Sequence, residues 1–180
     1  MHLNDDFSQR VVITPNDYNW VDSPTAGVER MMLDRIGDEV ARATSLVRYA
    51  PNSRFPAHTH GGGEEIFVLE GIFADEHGEY PKGSYLRNPI GTSHSPHVGP
   101  EGAIIFVKLH QFDSADQRQC AIDTNTQPWR QGLVAGLTVM SLHSHLGENG
   151  ALVKEAPNTQ CKPHRHWGGE EIFVIEGTFH

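Results

Sequence analysis

One metal-site pattern occurs twice in this chain of 180 residues. The first copy reads His58-Thr59-His60-Gly61-Gly62-Gly63-Glu64 and runs on through Glu65-Ile66-Phe67-Val68-Leu69-Glu70-Gly71. The second reads His164-Arg165-His166-Trp167-Gly168-Gly169-Glu170 and runs on through Glu171-Ile172-Phe173-Val174-Ile175-Glu176-Gly177. Every shared position is displaced by 106 residues: 58 to 164, 60 to 166, 64 to 170, 71 to 177. The same displacement relates Leu46-Val47-Arg48-Tyr49-Ala50-Pro51-Asn52 to Leu152-Val153-Lys154-Glu155-Ala156-Pro157-Asn158. A fixed period of this kind marks an internal duplication of a unit of roughly a hundred residues.

Within the unit the pattern is that of short strands. Eighteen Gly and eleven Pro favour turns, and no long stretch keeps the apolar spacing of three and four that a helix needs. Residues 11–14 are strand-like, and 28–33 and 40–49 read as two strands about a Gly37-Asp38 turn. Strands follow at 65–69, 83–89 and 103–109, with a turn at Glu76-His77-Gly78. In the second half Asn149-Gly150 is a hairpin signal. Many short strands with regular turns predict a sandwich or barrel. The polar stretch 110–128 reads as a connector. The expected organisation is a first domain over 1–110 with an entry segment, a linker over 111–128, and a second domain over 129–180. That second domain ends at the counterpart of Ala74, and the chain is expected to be a fragment.

Charge and composition remove several function classes. The net charge of −9 argues against a nucleic-acid surface, which must neutralise phosphates with Lys and Arg. It gives no support to binding an anionic membrane, and no apolar run is long enough to span one. Residues 1–10 are polar and acidic, unlike a secretory signal, so a cytoplasmic protein is expected. Cys120 and Cys161 lack Cys-x-x-Cys spacing and read as two unpaired thiols. A hydrophobic fraction of 37%, with three Trp and eight Phe, suffices for a packed core.

Residues two apart on a strand share a face, so His58 and His60 aim the same way. The glycine turn lets the chain reverse, and Glu64 opens the next strand beside the pair. Glu65, on the opposite face, is expected to be exposed. A third imidazole must come from farther along, and His94 fits. Three neutral imidazoles and one carboxylate leave a divalent ion one net positive charge and room for water or a small-molecule ligand. Zinc and iron are not separated by spacing, and Mn2+ is also admissible. His164, His166 and Glu170 form an equal motif in the second copy, without a counterpart of His94. His143 and His145 lack a carboxylate four residues on and read as a strand end.

These residues resemble the cupin superfamily. Its first motif, Gly-x5-His-x-His-x3-Glu-x6-Gly, is matched from His58 to Gly71, with Asn52 at the leading glycine. Its second, Gly-x5-Pro-x-Gly-x2-His-x3-Asn, is matched from Gly83 to His94, with Val98 at the closing Asn. The run His-Thr-His-Gly-Gly-Gly-Glu-Glu, with Asp75-Glu76-His77-Gly78-Glu79-Tyr80 and Pro81-x-Gly83, is similar to the cupin domain of ChrR-type anti-sigma factors. The resemblance covers residues 27–109 and 136–180. It implies an all-β double-stranded β-helix, the cupin jelly roll, in tandem with the second copy truncated. It also implies zinc held by His58, His60, Glu64 and His94, a sensory or regulatory role, a protein partner and a homodimer. No His-x3-Cys-x2-Cys run is present, so the resemblance does not extend to the helical domain that grips a sigma factor. The alternative from the same superfamily is an Fe2+-dependent dioxygenase acting on a small ketone or diketone.

Overall fold

The structure, a computed structural model, describes residues 1–179. The chain forms one unit over Met1–Asn125 and a second that begins at Thr126. In the first, β1 (His2–Leu3) and a short 3-10 helix (Pro15–Asp17) lead to β2 (Trp20–Asp22), β3 (Val28–Gly37) and β4 (Ala41–Tyr49). Then come β5 (His58–Thr59), β6 (Glu64–Asp75), β7 (Gly78–Pro81), β8 (Ser84–Asn88), β9 (Ser93–His94), β10 (His97–Leu109) and β11 (Cys120–Asp123). The main sheet runs β1-β3-β4-β10-β6-β8-β11, with β2 added to β3 and β7 to β6, and β5 pairs with β9 apart from it. All pairings are antiparallel. This is the expected all-β jelly roll.

Alternation along β6 builds the interior. Glu64, Ile66 and Val68 are buried, and the residues between them are less so. Ile66 and Val68 join Val47, Phe73, Ile105 and Val107 in one apolar cluster. Burial of this cluster is the main favourable term in the fold. Gly71 permits the close approach of β6 to β10. Its φ is +70°, and a Cβ there would strike the Gly102 carbonyl oxygen.

Three local expectations differ from what is observed. Residues 11–14 form no strand, and Val11 and Val12 are exposed, because no neighbouring strand offers them a ladder among the described residues. The stretch read as a connector supplies β11, which pairs Cys120 with Arg87 and Asp123 with Ser84. Strand β8 otherwise ends the sheet, and β11 covers that edge. Glu65 is not a solvated charge. It accepts hydrogen bonds from Tyr85 Oη (2.6 Å) and Arg87 Nη1 (3.1 Å).

Arg87, 3% exposed, also donates to Asp116 Oδ2 at 2.6 Å and lies 4.0 Å from the centre of the Phe112 ring. Burial works against its charge, but Tyr85, Glu65 and Asp116 outweigh burial and raise its pKa. Burial and Glu65 together push the Tyr85 phenol up. The chain after β10 is thus tied back onto β6 and β8 through one guanidinium.

The second unit contains β12 (Arg130–Gln131), β13 (Leu137–His145) and β14 (Glu148–Glu155), in that sheet order. The hairpin turn is Leu146-Gly147, three residues before the expected Asn149-Gly150. Both turn residues have positive φ, +46° and +90°, as a type I′ turn requires. Asn149 lies in β14, opposite Ser144, and its side chain donates to the Gly147 carbonyl at 3.0 Å. The duplication holds at atomic detail here. Ala50 N–H donates to the Gly27 carbonyl at 2.8 Å and Ala156 N–H to that of Gly136 at 2.9 Å. Asn52 and Asn158 both take left-handed φ, +60° and +65°. Asparagine tolerates that conformation, which explains why Asn52 can stand where the motif has glycine. Residues 156–179 form no helix or strand. Strand β6 lies between β8 and β10, and the second unit has no counterpart of either among the described residues. No helix among the described residues is long and apolar enough to cross a membrane.

Two substitutions test these points in a denaturant melt. Gly71→Ala is expected to lower stability by about 2 kcal/mol, whereas Gly99→Ala, in open space, is expected to stay within about 0.5 kcal/mol. Arg87→Leu leaves Glu65 and Asp116 without the guanidinium they share and is expected to cost about 3–5 kcal/mol.

Candidate metal centre

His58, His60, Glu64 and His94 converge. One ligand atom from each lies within 4.8 Å of the others. His58 and His94 are opposite one another in the β5–β9 ladder. His60 is fixed beside them because its N–H donates to the Thr92 carbonyl, and its own carbonyl accepts from Gly91 N–H, both at 2.9 Å. Glu64 arrives as the first inward residue of β6. The turn between them is shaped by its glycines. A Cβ on Gly62 would strike His110, and one on Gly63, whose φ is +77°, would strike Phe112.

The three rings stand edge to face. Their centroids are 5.1 Å apart for His58–His60, 4.8 Å for His58–His94 and 4.7 Å for His60–His94. Each Nδ1 faces a protein acceptor: the Pro56 carbonyl at 3.0 Å for His58, Thr92 Oγ1 at 2.9 Å for His60, and Asp75 Oδ2 at 3.2 Å for His94. Thr92 Oγ1 donates onward to the Pro89 carbonyl at 2.7 Å, so it accepts from His60. The tautomer assigned from these acceptors puts the proton on Nδ1 of each neutral ring and leaves Nε2 as the free donor atom.

His60 and His94 Nε2 are buried and make no hydrogen bond of good geometry, although they lie 3.1 and 3.3 Å from Glu64 Oε2. Buried nitrogens left this way are costly, and a cation among them removes the cost. Glu64 also accepts from Asn88 Nδ2 at 3.1 Å. Burial alone would raise the Glu64 pKa, but His60 and His94 outweigh it and hold the carboxyl well below the usual carboxylate range. Burial lowers the pKa of His58. For His94 burial acts in the same direction, but Glu64 and Asp75 outweigh it and raise its pKa. Three imidazoles and an anionic carboxylate suit Zn2+, Fe2+ or Mn2+.

The second copy keeps part of this geometry. His164 Nδ1 donates to the Lys162 carbonyl at 2.8 Å, the counterpart of the His58–Pro56 bond. The His164 and His166 rings are 4.7 Å apart, and His166 Nε2 is 3.4 Å from Glu170 Oε1. All three residues are exposed. Among the described residues, only the first set gathers three or more such ligands within 4.8 Å. Cys161 Sγ lies 3.8 Å from Glu155 Oε1, and both cysteines are free thiols.

Asp75, Asn88 and Thr92 support the centre and were not singled out from the sequence. Asn88 stands opposite Glu64 in the β6–β8 ladder, Asp75 ends β6 and Thr92 lies in the turn after Pro89, so each meets the centre through pairing between segments that spacing along the chain does not reveal.

No curated protein matches the chain significantly. Among solved structures, a candidate dioxygenase from Nostoc punctiforme is 23% identical with a TM-score of 0.60, over 72% of this chain and 52% of that one. A candidate acetylacetone dioxygenase from Methylibium petroleiphilum is 18% identical with a TM-score of 0.50, over 62% of this chain and 86% of that one. The Rhodobacter sphaeroides complex of SigE with the anti-sigma ChrR aligns at 23% identity with a TM-score of 0.45, over 53% and 50%. The chain spans about half the length of the first and third of these. The family model described as the ChrR cupin-like domain matches residues 8–113 and 117–180, so nearly the whole chain belongs to the ChrR cupin-like family.

Proposed function

We propose that this protein is a metal-binding sensory or regulatory cupin of the ChrR type, with zinc as its first-choice ion and Fe2+ or Mn2+ as the others its ligands admit. One observation carries the reading: two buried Nε2 atoms without hydrogen bonds face an anionic carboxylate, inside a group of four ligand atoms within 4.8 Å. His58, His60, Glu64 and His94 would hold the ion. When bound it supplies positive charge and Lewis acidity at the centre. The protein's own groups set the response. The acceptors behind the rings hold all three imidazoles in the binding tautomer, and Glu64 brings the negative charge. His58, half-buried, leaves the centre reachable by a small molecule from its side. The family membership supports a regulatory role exerted through a protein partner.

Metal analysis of protein purified without added metal is expected to find close to one divalent ion per chain at this centre. Chelation is expected to lower the melting temperature of the wild type, because binding energy contributes to folding. His60→Ala is expected to abolish that chelator effect. A wild type that purifies metal-free and melts identically with and without added zinc contradicts the proposal.

A second reading is an Fe2+ dioxygenase for a small ketone or diketone. The ligand set favours it, since imidazoles and a carboxylate without thiolate also serve iron, and two structural neighbours carry dioxygenase names. Oxygen uptake by iron-loaded protein across a panel of diketones and aromatic ketones separates the two. Turnover that is lost in His94→Ala would select the enzyme, and none across the panel would select the sensor.

A further inference from the structure

The three imidazoles of the centre are backed by unlike acceptors. His58 has a carbonyl, His60 a hydroxyl, and only His94 a carboxylate, that of Asp75. Asp75 ends β6 and is 8% exposed. Its two oxygens divide their work. Oδ1 accepts from His77 N–H at 2.8 Å, Gly78 N–H at 3.2 Å and Tyr80 Oη at 3.2 Å, which closes the β6–β7 turn. Oδ2 is turned inward, 3.2 Å from His94 Nδ1. An Asx turn needs one oxygen, and here Oδ1 serves it completely. The inward oxygen therefore has a separate task. Among the described residues, the His94 ring has no other polar contact behind it. Its remaining neighbours are the rings of Phe73, His58 and His60, and Glu64 on the metal side. Among the described residues, Asp75 alone stands behind His94 to select which ring nitrogen carries the proton.

We propose that Asp75 is a positioning residue for the metal centre: its inward oxygen fixes His94 with Nε2 toward the ion, while its outward oxygen anchors the same strand end to the β6–β7 turn. This rests on the four-ligand reading given above. A charged acceptor behind a ligating imidazole raises the basicity of the ring more than a neutral one does. His94 is thus the strongest imidazole donor of the three, and the turn at residues 75–78 is bonded to it through one side chain.

The test compares Asp75→Asn with Tyr80→Phe in the full chain. Tyr80→Phe removes a bond to the outward oxygen and leaves the inward one intact. The affinity for Zn2+ is measured by competition with a chromophoric chelator, and the visible spectrum of the Co2+ form reads the strength of the ligands. Asp75→Asn is expected to weaken Zn2+ binding about 10–100-fold and to shift the Co2+ bands. Tyr80→Phe is expected to leave both unchanged, even if the metal-free protein melts earlier. Wild-type affinity and spectrum in Asp75→Asn, with only a lower melting temperature, would make Asp75 a turn residue and overturn the proposal. If the wild type binds neither Zn2+ nor Co2+, the four-ligand reading itself fails and takes this role with it.

Discussion

A carboxylate sits among three imidazoles in the interior of a small barrel, and the first unit is built to tolerate it. Glu64 is 7% exposed, on the same face of its strand as Ile66 and Val68. A lone anion there would be very costly. The imidazoles, Asn88 and the polar groups behind each ring surround that carboxylate with the groups of a candidate cation site. The glycine turn under His110 and Phe112 and the β5–β9 pair then hold the groups together. The apolar cluster beneath supplies the stability that such a polar centre does not supply for itself.

Much of this was legible because the relevant information is local. Spacing of two put His58 and His60 on one face, and strand alternation put Glu64 beside the pair with Glu65 on the opposite face. The second motif located His94, which the fold then sets directly opposite His58. What escaped the sequence depends on pairing between distant segments. The polar stretch after β10 hides a four-residue strand because its partner, β8, lies more than thirty residues away (Cys120 opposite Arg87). Glu65 looked solvated because Tyr85, Arg87 and Asp116 come from other elements. The hairpin was foreseen but shifted, since Asn149-Gly150 is the stronger turn signal by composition and the ladder of His145 with Glu148 decides for Leu146-Gly147.

The two copies separate what a motif encodes from what a fold adds. His164, His166 and Glu170 reproduce the ring pair, the Nδ1 bond to a carbonyl two residues back, and the approach of carboxylate to imidazole. These features need only the chain's own local geometry. Among the described residues, burial, the third imidazole and the strand that carries the carboxylate appear in the first copy alone, where β8, β9 and β10 are at hand. A ligand motif therefore specifies half a site, and its neighbours complete it.

The opposed placement of His58 and His94 on two-residue strands has one more implication. The distance between their backbones is set by the ladder, where facing Cα atoms lie about 4.5–5.5 Å apart, and owes little to side-chain choice. The span this pair could offer an ion is therefore a property of the main chain. Changes in pocket walls or loops would leave the span across those two imidazoles constant. One scaffold can in this way be retuned for different signals or reactions without being rebuilt.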